Sequence, residues 1–435
     1  MSSEWRSVQL GECAELDTGF PFKSAHYAES LNAVRLLRGD NIGQGQLRWD
    51  GVKGWLRKDG DALATFELRE NDLVLAMDRP WITAGLKFAR VRKSDLPALL
   101  VQRVARLRPK SGVDVDYLHY VVASPAFTQH IQNVTTGTAV PHISAKQIRE
   151  YKFHLPDLAT QQAYGKALMS IDDRIFLLRE TNRTLEAIAQ ALFKSWFVDF
   201  EPVRAKLSGC APECMDAATA ALFSDRFEES EVGLVPKGWR VCALDEIALF
   251  LNGLAMQKYP PTEDSWLPVI KIAQLRKGDT NGADRAGRNI KPEYFVQNGD
   301  VLFSWSGSLE VEIWCGGEGA LNQHLFKVTS NTFPKWFYYL WTKHHLEDFR
   351  QIAASKATTM GHIQRRHLSQ AKVLVPPDEL IVAIGAFLAP LFERFISTAL
   401  QVQSLTVLRD TLLPRLISGQ LGVSEAGAIV EKVAA

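Results

Sequence analysis

The amino-acid sequence predicts an α+β protein with an internal pseudo-two-fold repeat: two similar α/β domains separated by a long antiparallel two-helix coiled coil. Three observations carry that expectation. The start of the chain, Trp5-Arg6 with Leu10, Glu12, Ala14 and Gly19, returns 234 positions later as Trp239-Arg240 with Leu244, Glu246, Ala248 and Gly253. Thr138-Ala139-Val140-Pro141-His142-Ile143 returns 220 positions on as Thr358-Thr359-Met360-Gly361-His362-Ile363, and Pro156 as Pro376. Behind each of those prolines lies a heptad-patterned stretch. Solenoid repeats run ~20 to 50 residues, so a period this long means whole domains.

Each copy opens with short apolar runs separated by turn residues. Asn71-Asp72-Leu73-Val74-Leu75-Ala76 and Asn298-Gly299-Asp300-Val301-Leu302-Phe303 read as a polar turn entering a buried strand. Val34–Leu37 and Val269–Ile272 read as matching strands with one basic side chain each. Val115–Ala123 and Phe333–Thr342 carry aromatics at helical spacing, suited to packing on a sheet.

The helix that closes each copy is of another kind. After Pro156, apolar or small residues fall at Ile171, Ile175, Leu178, Leu185, Ala189, Leu192 and Trp196, with Asn182 in the series. Ile384, Leu388, Leu391, Phe395, Thr398, Val402, Leu405 and Leu412 continue the rhythm, which Arg409 interrupts. Alternating steps of four and three make a coiled-coil seam, and Asn182 on it suits a register-setting contact. One such helix alone would expose a stripe of Ile and Leu to water. The matching helix of the other copy is the simplest partner; core helices of two unrelated domains are the bland reading. The boundaries that follow are 1–156, 157–200, 201–234 (an acidic linker), 235–376, 377–420 and a tail, 421–435.

At 435 residues the chain exceeds a single core, and 46% hydrophobic with 23% charged residues is ordinary for a soluble protein. No uninterrupted apolar run reaches the ~18 residues of a membrane span. The first residues lack a basic-then-apolar signal, so a cytosolic location is expected. Among five cysteines, Cys210 and Cys214 have half of a metal-ligand spacing, but no second pair completes it; reduced thiols and no bound metal are expected. Net charge is +1, but its distribution is uneven. Residues 86–110 hold eight Lys/Arg against Asp95, residues 343–372 hold six against Glu347 and Asp348, and 210–231 are acidic. Basic patches on otherwise neutral domains fit polyanion binding as well as ordinary solvated faces.

Catalytic signatures are missing. No phosphate loop of the Gly-x4-Gly-Lys-Ser/Thr type, no Gly-x-Gly-x-x-Gly after a strand and no Asn-Pro-Pro-Tyr segment occurs. His344-His345 with Glu347 does not have the spacing of a zinc-protease helix; an exposed helix face is expected there. A binding module is the default.

The segment Leu192–Lys206, Leu-Phe-Lys-Ser-Trp-Phe-Val-Asp-Phe-Glu-Pro-Val-Arg-Ala-Lys, closely resembles the central region of specificity subunits of type I restriction–modification systems. Val235-Pro236-Lys237-Gly238-Trp239 and Leu412-Leu413-Pro414-Arg415-Leu416-Ile417-Ser418-Gly419 match as well. The resemblance covers essentially the whole chain. It implies that 1–156 and 235–376 are target-recognition domains, each reading half of a bipartite, asymmetric double-stranded DNA site. The helix pair would act as a ruler and dock two methyltransferase subunits, which two restriction/translocase subunits then join. S-adenosylmethionine, ATP and Mg2+ would belong to those partners, with no cofactor and no chemistry on this chain. A helix of ~28 residues spans ~42 Å, close to the ~34–36 Å of one turn of B-DNA.

Base reading needs Arg, Lys, Asn or Gln presented into a groove. The candidates are Arg35, Arg38, Asn41, Arg79, Lys87 and Lys146 in the first domain, and Lys271, Gln274, Arg276, Lys356, Arg365 and Arg366 in the second. The loops Thr135–Ser144 and Lys356–Gln364 recur in both copies, which adds Thr138, His142, Thr358 and His362; a turn that sets the helix exit is the competing reading. A scaffold subunit that reads no sequence, or an enzyme with an unfamiliar motif, remain alternatives.

Overall fold

A computed structural model describes residues 5–434 apart from 31, 59, 61, 83–84, 138–139, 263–264 and 356–360. The chain forms two compact units, Met1–Arg174 with Leu405–Ala435, and Ile175–Ser404. The division falls inside both long helices, so each unit holds one globular domain and a stretch of each helix.

In the first unit the sheet runs in the order Ala14–Thr18, Val104–Pro109, Leu73–Ala76, Phe88–Arg90, antiparallel throughout. Leu73–Ala76 is fully enclosed, as an unbroken apolar run requires. A second sheet places Val34–Leu37 between antiparallel Gly54–Trp55 and parallel Ala98–Leu100. Arg6–Gln9 pairs with Lys152–Leu155, tying the start of the domain to the strand that leads out of it. Asp114 caps the helix Val115–Ala123 through Tyr117 N, and Ser124 caps Pro125–Val134.

The second unit repeats this plan. Its main sheet runs Leu249–Asn252, Leu325–Thr329, Val301–Ser304, Val311–Ile313, again antiparallel. Trp266–Ile270 lies parallel to Gly319–Leu321, and Arg240–Ala243 pairs with Lys372–Val375. Gly19 and Gly253 occupy the same place: a Cβ would lie 2.3 Å from the Val101 carbonyl carbon and 2.2 Å from the Asn322 oxygen. Only glycine lets the chain pass that close. The core here is aromatic, with Trp336, Phe337, Tyr339 and Trp341 of the helix Lys335–His344 buried among Phe197, Phe303 and Phe349.

The long helices are Leu158–Phe193 and Asp378–Ile417. Pro156 ends the strand before the first, and the Asp157 carboxylate accepts from Thr160 N at 2.9 Å. Within the second unit, Asn182 Nδ2 donates to the Phe395 carbonyl at 3.1 Å, and Leu185 and Ala189 line one crevice with Leu391, Phe392 and Phe395. Within the first, Tyr164 Oη donates to the Leu421 carbonyl at 2.7 Å, and Arg409 meets Asp172 at 2.8 Å. In the second unit rising numbers on one helix meet falling numbers on the other, and in the first Asp172 meets Arg409 while the earlier Tyr164 reaches Leu421 just past the helix end, so the helices are antiparallel. Ile171, Ile175, Leu178, Leu405 and Leu412 are buried, while Leu192, Leu391, Phe395 and Val402 are half-buried. By length and composition alone Asp378–Ile417 is apolar enough to cross a bilayer, although Glu393 and Arg394 break its apolar run. In the structure its Ile384, Leu388 and Thr398 are fully enclosed, and Val382 is exposed.

Three segments carry more structure than the sequence boundaries specified. Residues 201–234 are folded: helices Glu201–Leu207 and Ala217–Leu222 precede a hairpin of Phe227–Ser230 with Gly233–Pro236. Val203, Phe223 and Val235 sit in the core, and Lys206 Nζ donates to the carbonyls of Ala220 and Phe223. The acidic composition hid these few apolar anchors. The tail contains a helix, Val423–Ala434. Finally, the 135–144 loop leads first into a short helix, Ala145–Arg149, capped by Ser144, and only then into the strand.

Candidate nucleic-acid interface

In the first domain three of the basic candidates, Arg38, Arg79 and Lys87, converge on a polar cleft of about 360 Å³, also lined by Asp40, Asp78, Gln102, Arg103 and Val140 among others. The sheet explains why they meet. Lys87 precedes the strand Phe88–Arg90, Asp78 and Arg79 follow Leu73–Ala76, and Arg103 precedes Val104–Pro109, so turns at the ends of neighbouring strands present all four. Burial holds the Lys87 pKa below its ordinary value, against the pull of Asp40. A partly desolvated ammonium there favours an incoming acceptor that is itself desolvated. Arg103 Nε lies 2.9 and 3.0 Å from the two Asp78 carboxylate oxygens, which holds its guanidinium in one orientation and raises its pKa. Arg38 is paired with Asp40 at 3.0 Å.

The recurring loop closes on this cleft. Asp78 and His142 form a β-bridge, and Arg79 N donates to the Pro141 carbonyl at 2.6 Å. His142 is anchored by exchanged backbone bonds with Thr136, 3.0 and 2.8 Å long. Thr138 lies outside the described residues. Lys146 is exposed on the following short helix, 3.8 Å from Glu150.

Two candidates in this domain are spent on the fold. Arg35 donates to the carbonyls of Ser94 and Pro97 and stacks over Trp49 at 4.5 Å. The Asn41 side chain caps Arg38 N and reaches the Arg48 carbonyl, closing its own turn.

In the second domain the candidates scatter. Gln274 is buried, its side chain accepting from Lys271 N at 3.3 Å as a helix cap. Lys271 is paired with Asp284. Arg365 donates to the Phe250 carbonyl at 3.2 Å and lies over Phe326. Arg276 and Arg366 are exposed. Lys356 and Thr358 lie outside the described residues. His362 forms a β-bridge with Ser306, as His142 does with Asp78, and its ring lies 6.3 Å from Trp305. Ser306 Oγ and His324 Nδ1 are 3.0 Å apart, and Trp305 Nε1 donates to Asn252 Oδ1 at 2.9 Å.

Sequence reading missed Arg103, Asp78, Ser306, His324 and Trp305. A signal for two of them was present: Leu100-Val101-Gln102-Arg103 matches Leu321-Asn322-Gln323-His324 just before equivalent strands. Of the two adjacent histidines only His345 departs from an exposed face, its Nε2 lying 2.9 Å from the Lys372 carbonyl and its ring near Trp341, whereas His344 is exposed. Among the described residues no group of three or more His, Cys, Asp or Glu side chains gathers to hold a metal.

Comparison with known proteins agrees with this duplicated architecture. The chain is 25% identical over 339 residues to the MjaIX type I restriction enzyme specificity subunit of Methanocaldococcus jannaschii, covering 76% of this chain and 74% of that one. It is 25% identical over 357 residues to the HindI specificity subunit of Haemophilus influenzae, covering 70% and 77%. In fold it is similar to the crystal structure of a type I restriction–modification S subunit from M. genitalium, with a TM-score of 0.51 and 16% identity over 95% of this chain and 96% of that one. The model of the type I restriction modification DNA specificity domain matches residues 2–187 and 236–403, each match taking in one globular domain and most of the helix that follows it. A chain made of two copies of that domain, each with its own helix, belongs to the family of type I restriction–modification specificity subunits.

Proposed function

We propose that this chain reads a bipartite, asymmetric double-stranded DNA site, one half with each globular domain, and docks the subunits that modify or cut it. The first-domain cleft carries the reading: Arg38, Arg79, Lys87 and Arg103 meet in one concavity beside the recurring His142 loop. Phosphate contacts position such a domain, and base-edge contacts specify the sequence. The long helix pair is the element suited to set the unspecified spacer and to receive two methyltransferase subunits, with two restriction/translocase subunits joining them. Specificity subunits are non-catalytic; adenine methylation and ATP-dependent cleavage belong to the assembled complex, with S-adenosylmethionine, ATP and Mg2+ on the partners. A cytoplasmic location suits this role.

Single-molecule methylome sequencing of the host with and without the gene tests the reading. A bipartite adenine-methylated motif is expected to vanish with the gene. An unchanged methylome in a host whose partner subunits are expressed would leave the chain a scaffold that reads nothing. The purified chain alone should neither methylate nor cleave a duplex library; turnover without partners would make it an enzyme.

A further inference from the structure

Backbone hydrogen bonds align the two domains residue by residue around the cleft. Met77 N donates to the Arg103 carbonyl at 2.9 Å, and Trp305 N to the His324 carbonyl at 3.3 Å. Ile143 N reaches the Met77 carbonyl, and Ile363 N the Trp305 carbonyl, at 2.9 and 3.0 Å. Arg79 N bonds the Pro141 carbonyl as Gly307 N bonds that of Gly361, at 2.6 and 2.9 Å. Asp78, Arg79 and Arg103 therefore stand where the second domain has Ser306, Gly307 and His324.

Arg79 and Gly307 share a left-handed backbone, with φ 44° and 66°. Glycine takes that conformation freely, whereas a residue with a Cβ is strained in it. Arg103 is left-handed too, with φ 71°. Two exposed arginines face one cleft from strained positions, and one of them stands where the other domain has the unstrained choice. Strain of this kind is retained where a side chain's placement matters. Among the described residues the Arg79 guanidinium makes no hydrogen bond or ion pair, which leaves its fork open.

The cleft is not a generic phosphate patch. Asp40 and Asp78 line it with the cations, and carboxylates repel a phosphate backbone. Mixed charge suits base edges: an arginine fork matches guanine O6 and N7, and a carboxylate accepts from the cytosine amino group. We propose that Arg79, with Arg103 held by Asp78 beside it, is the specificity-determining side chain of the first domain and reads the major-groove edge of a guanine. The second domain, with Gly307, His324 and Ser306 at those places, reads its half-site by other groups. This inference rests on the DNA-reading function proposed above.

Selection of the full chain on randomised duplexes tests it, with Arg79→Gly, the second domain's residue, and Arg79→Lys, which keeps charge but loses the fork. Wild type is expected to enrich a bipartite motif with a guanine in one half. Arg79→Gly should melt at or above the wild-type temperature yet lose ~10- to ~100-fold discrimination at that one position, the other half-site being unchanged. Arg79→Lys should lose the same preference. An unaltered motif overturns the proposal, and so does a uniform loss across sequences with a shallower salt dependence, the mark of a phosphate contact. If both variants melt well below wild type, Arg79 is structural and the proposal fails. A wild-type chain that enriches no sequence sinks the DNA-reading function itself, a result visible before any variant is made.

Discussion

His119 packs between Phe88 and Tyr120, with ring centroids 5.1 and 4.8 Å away, and its Nδ1 has no partner among the described residues. Burial pushes its pKa down to about 4, outweighing the attraction of Asp172. An unfolded histidine titrates near ~6.5, so between that value and about 4 the unfolded chain binds more protons than the folded one. Stability from this residue is therefore complete above pH ~6.5 and drains away as the pH falls toward 4, by up to ~3 kcal/mol. His119→Phe should flatten that part of the stability profile, read as thermal midpoints of the two proteins at pH 7 and 4.5. Equal losses in both would place the acid sensitivity elsewhere. The candidate site shows the same dependence on surroundings. Arg35 and Gln274 looked as available in sequence as Arg38 and Lys87, yet Arg35 is tied to the distant Ser94 carbonyl, Gln274 caps its own helix, and the last two face the cleft.

On the long helices, polar residues on an apolar seam separate into satisfied and unsatisfied. Arg409 breaks the heptad pattern but meets Asp172, whose other oxygen accepts from Tyr120 Oη at 2.6 Å; burial of the guanidinium is offset by that pair. Asn182 reaches the Phe395 carbonyl through Nδ2 while its Oδ1 finds nothing among the described residues. Thr398 is fully enclosed, and its Oγ1 has no hydrogen-bond partner there either. A buried hydroxyl without a partner forfeits its hydration for no return, so Thr398→Val should raise stability by ~1 kcal/mol. Chemical denaturation with an unchanged m-value checks this; a clear loss of stability would mean that the hydroxyl has a partner. Heptad spacing made the seam legible because it is a local period. Which polar seam residues are satisfied was not legible, since Asp172 and Arg409 are far apart in sequence.

For the molecule as a whole, a net charge of +1 leaves DNA affinity to local clusters, so placement of cations matters more than their number. In the proposed function partner subunits dock on the helix pair, which has to hold its seam for that. Leu185 lines the crevice with Leu391, Phe392 and Phe395, beside Glu186, which is already engaged by Lys343. Leu185→Asp puts an unpaired charge there and should cost ~3 kcal/mol or more, abolishing assembly with the methyltransferase subunits in size-exclusion or mass photometry. Retained assembly would show that docking does not need this seam. The duplication, the two-domain plan and the heptad rods could be read from sequence alone, because repeats and periodic burial are written in residue order. The folding of residues 201–234 depended on Val203, Phe223 and Val235 finding a distant core. The make-up of the cleft was likewise a tertiary result. Arg38, Arg79, Lys87 and Arg103 meet only because pairing of non-consecutive strands brings their turns together, and strand pairing at long range leaves no local mark in the chain.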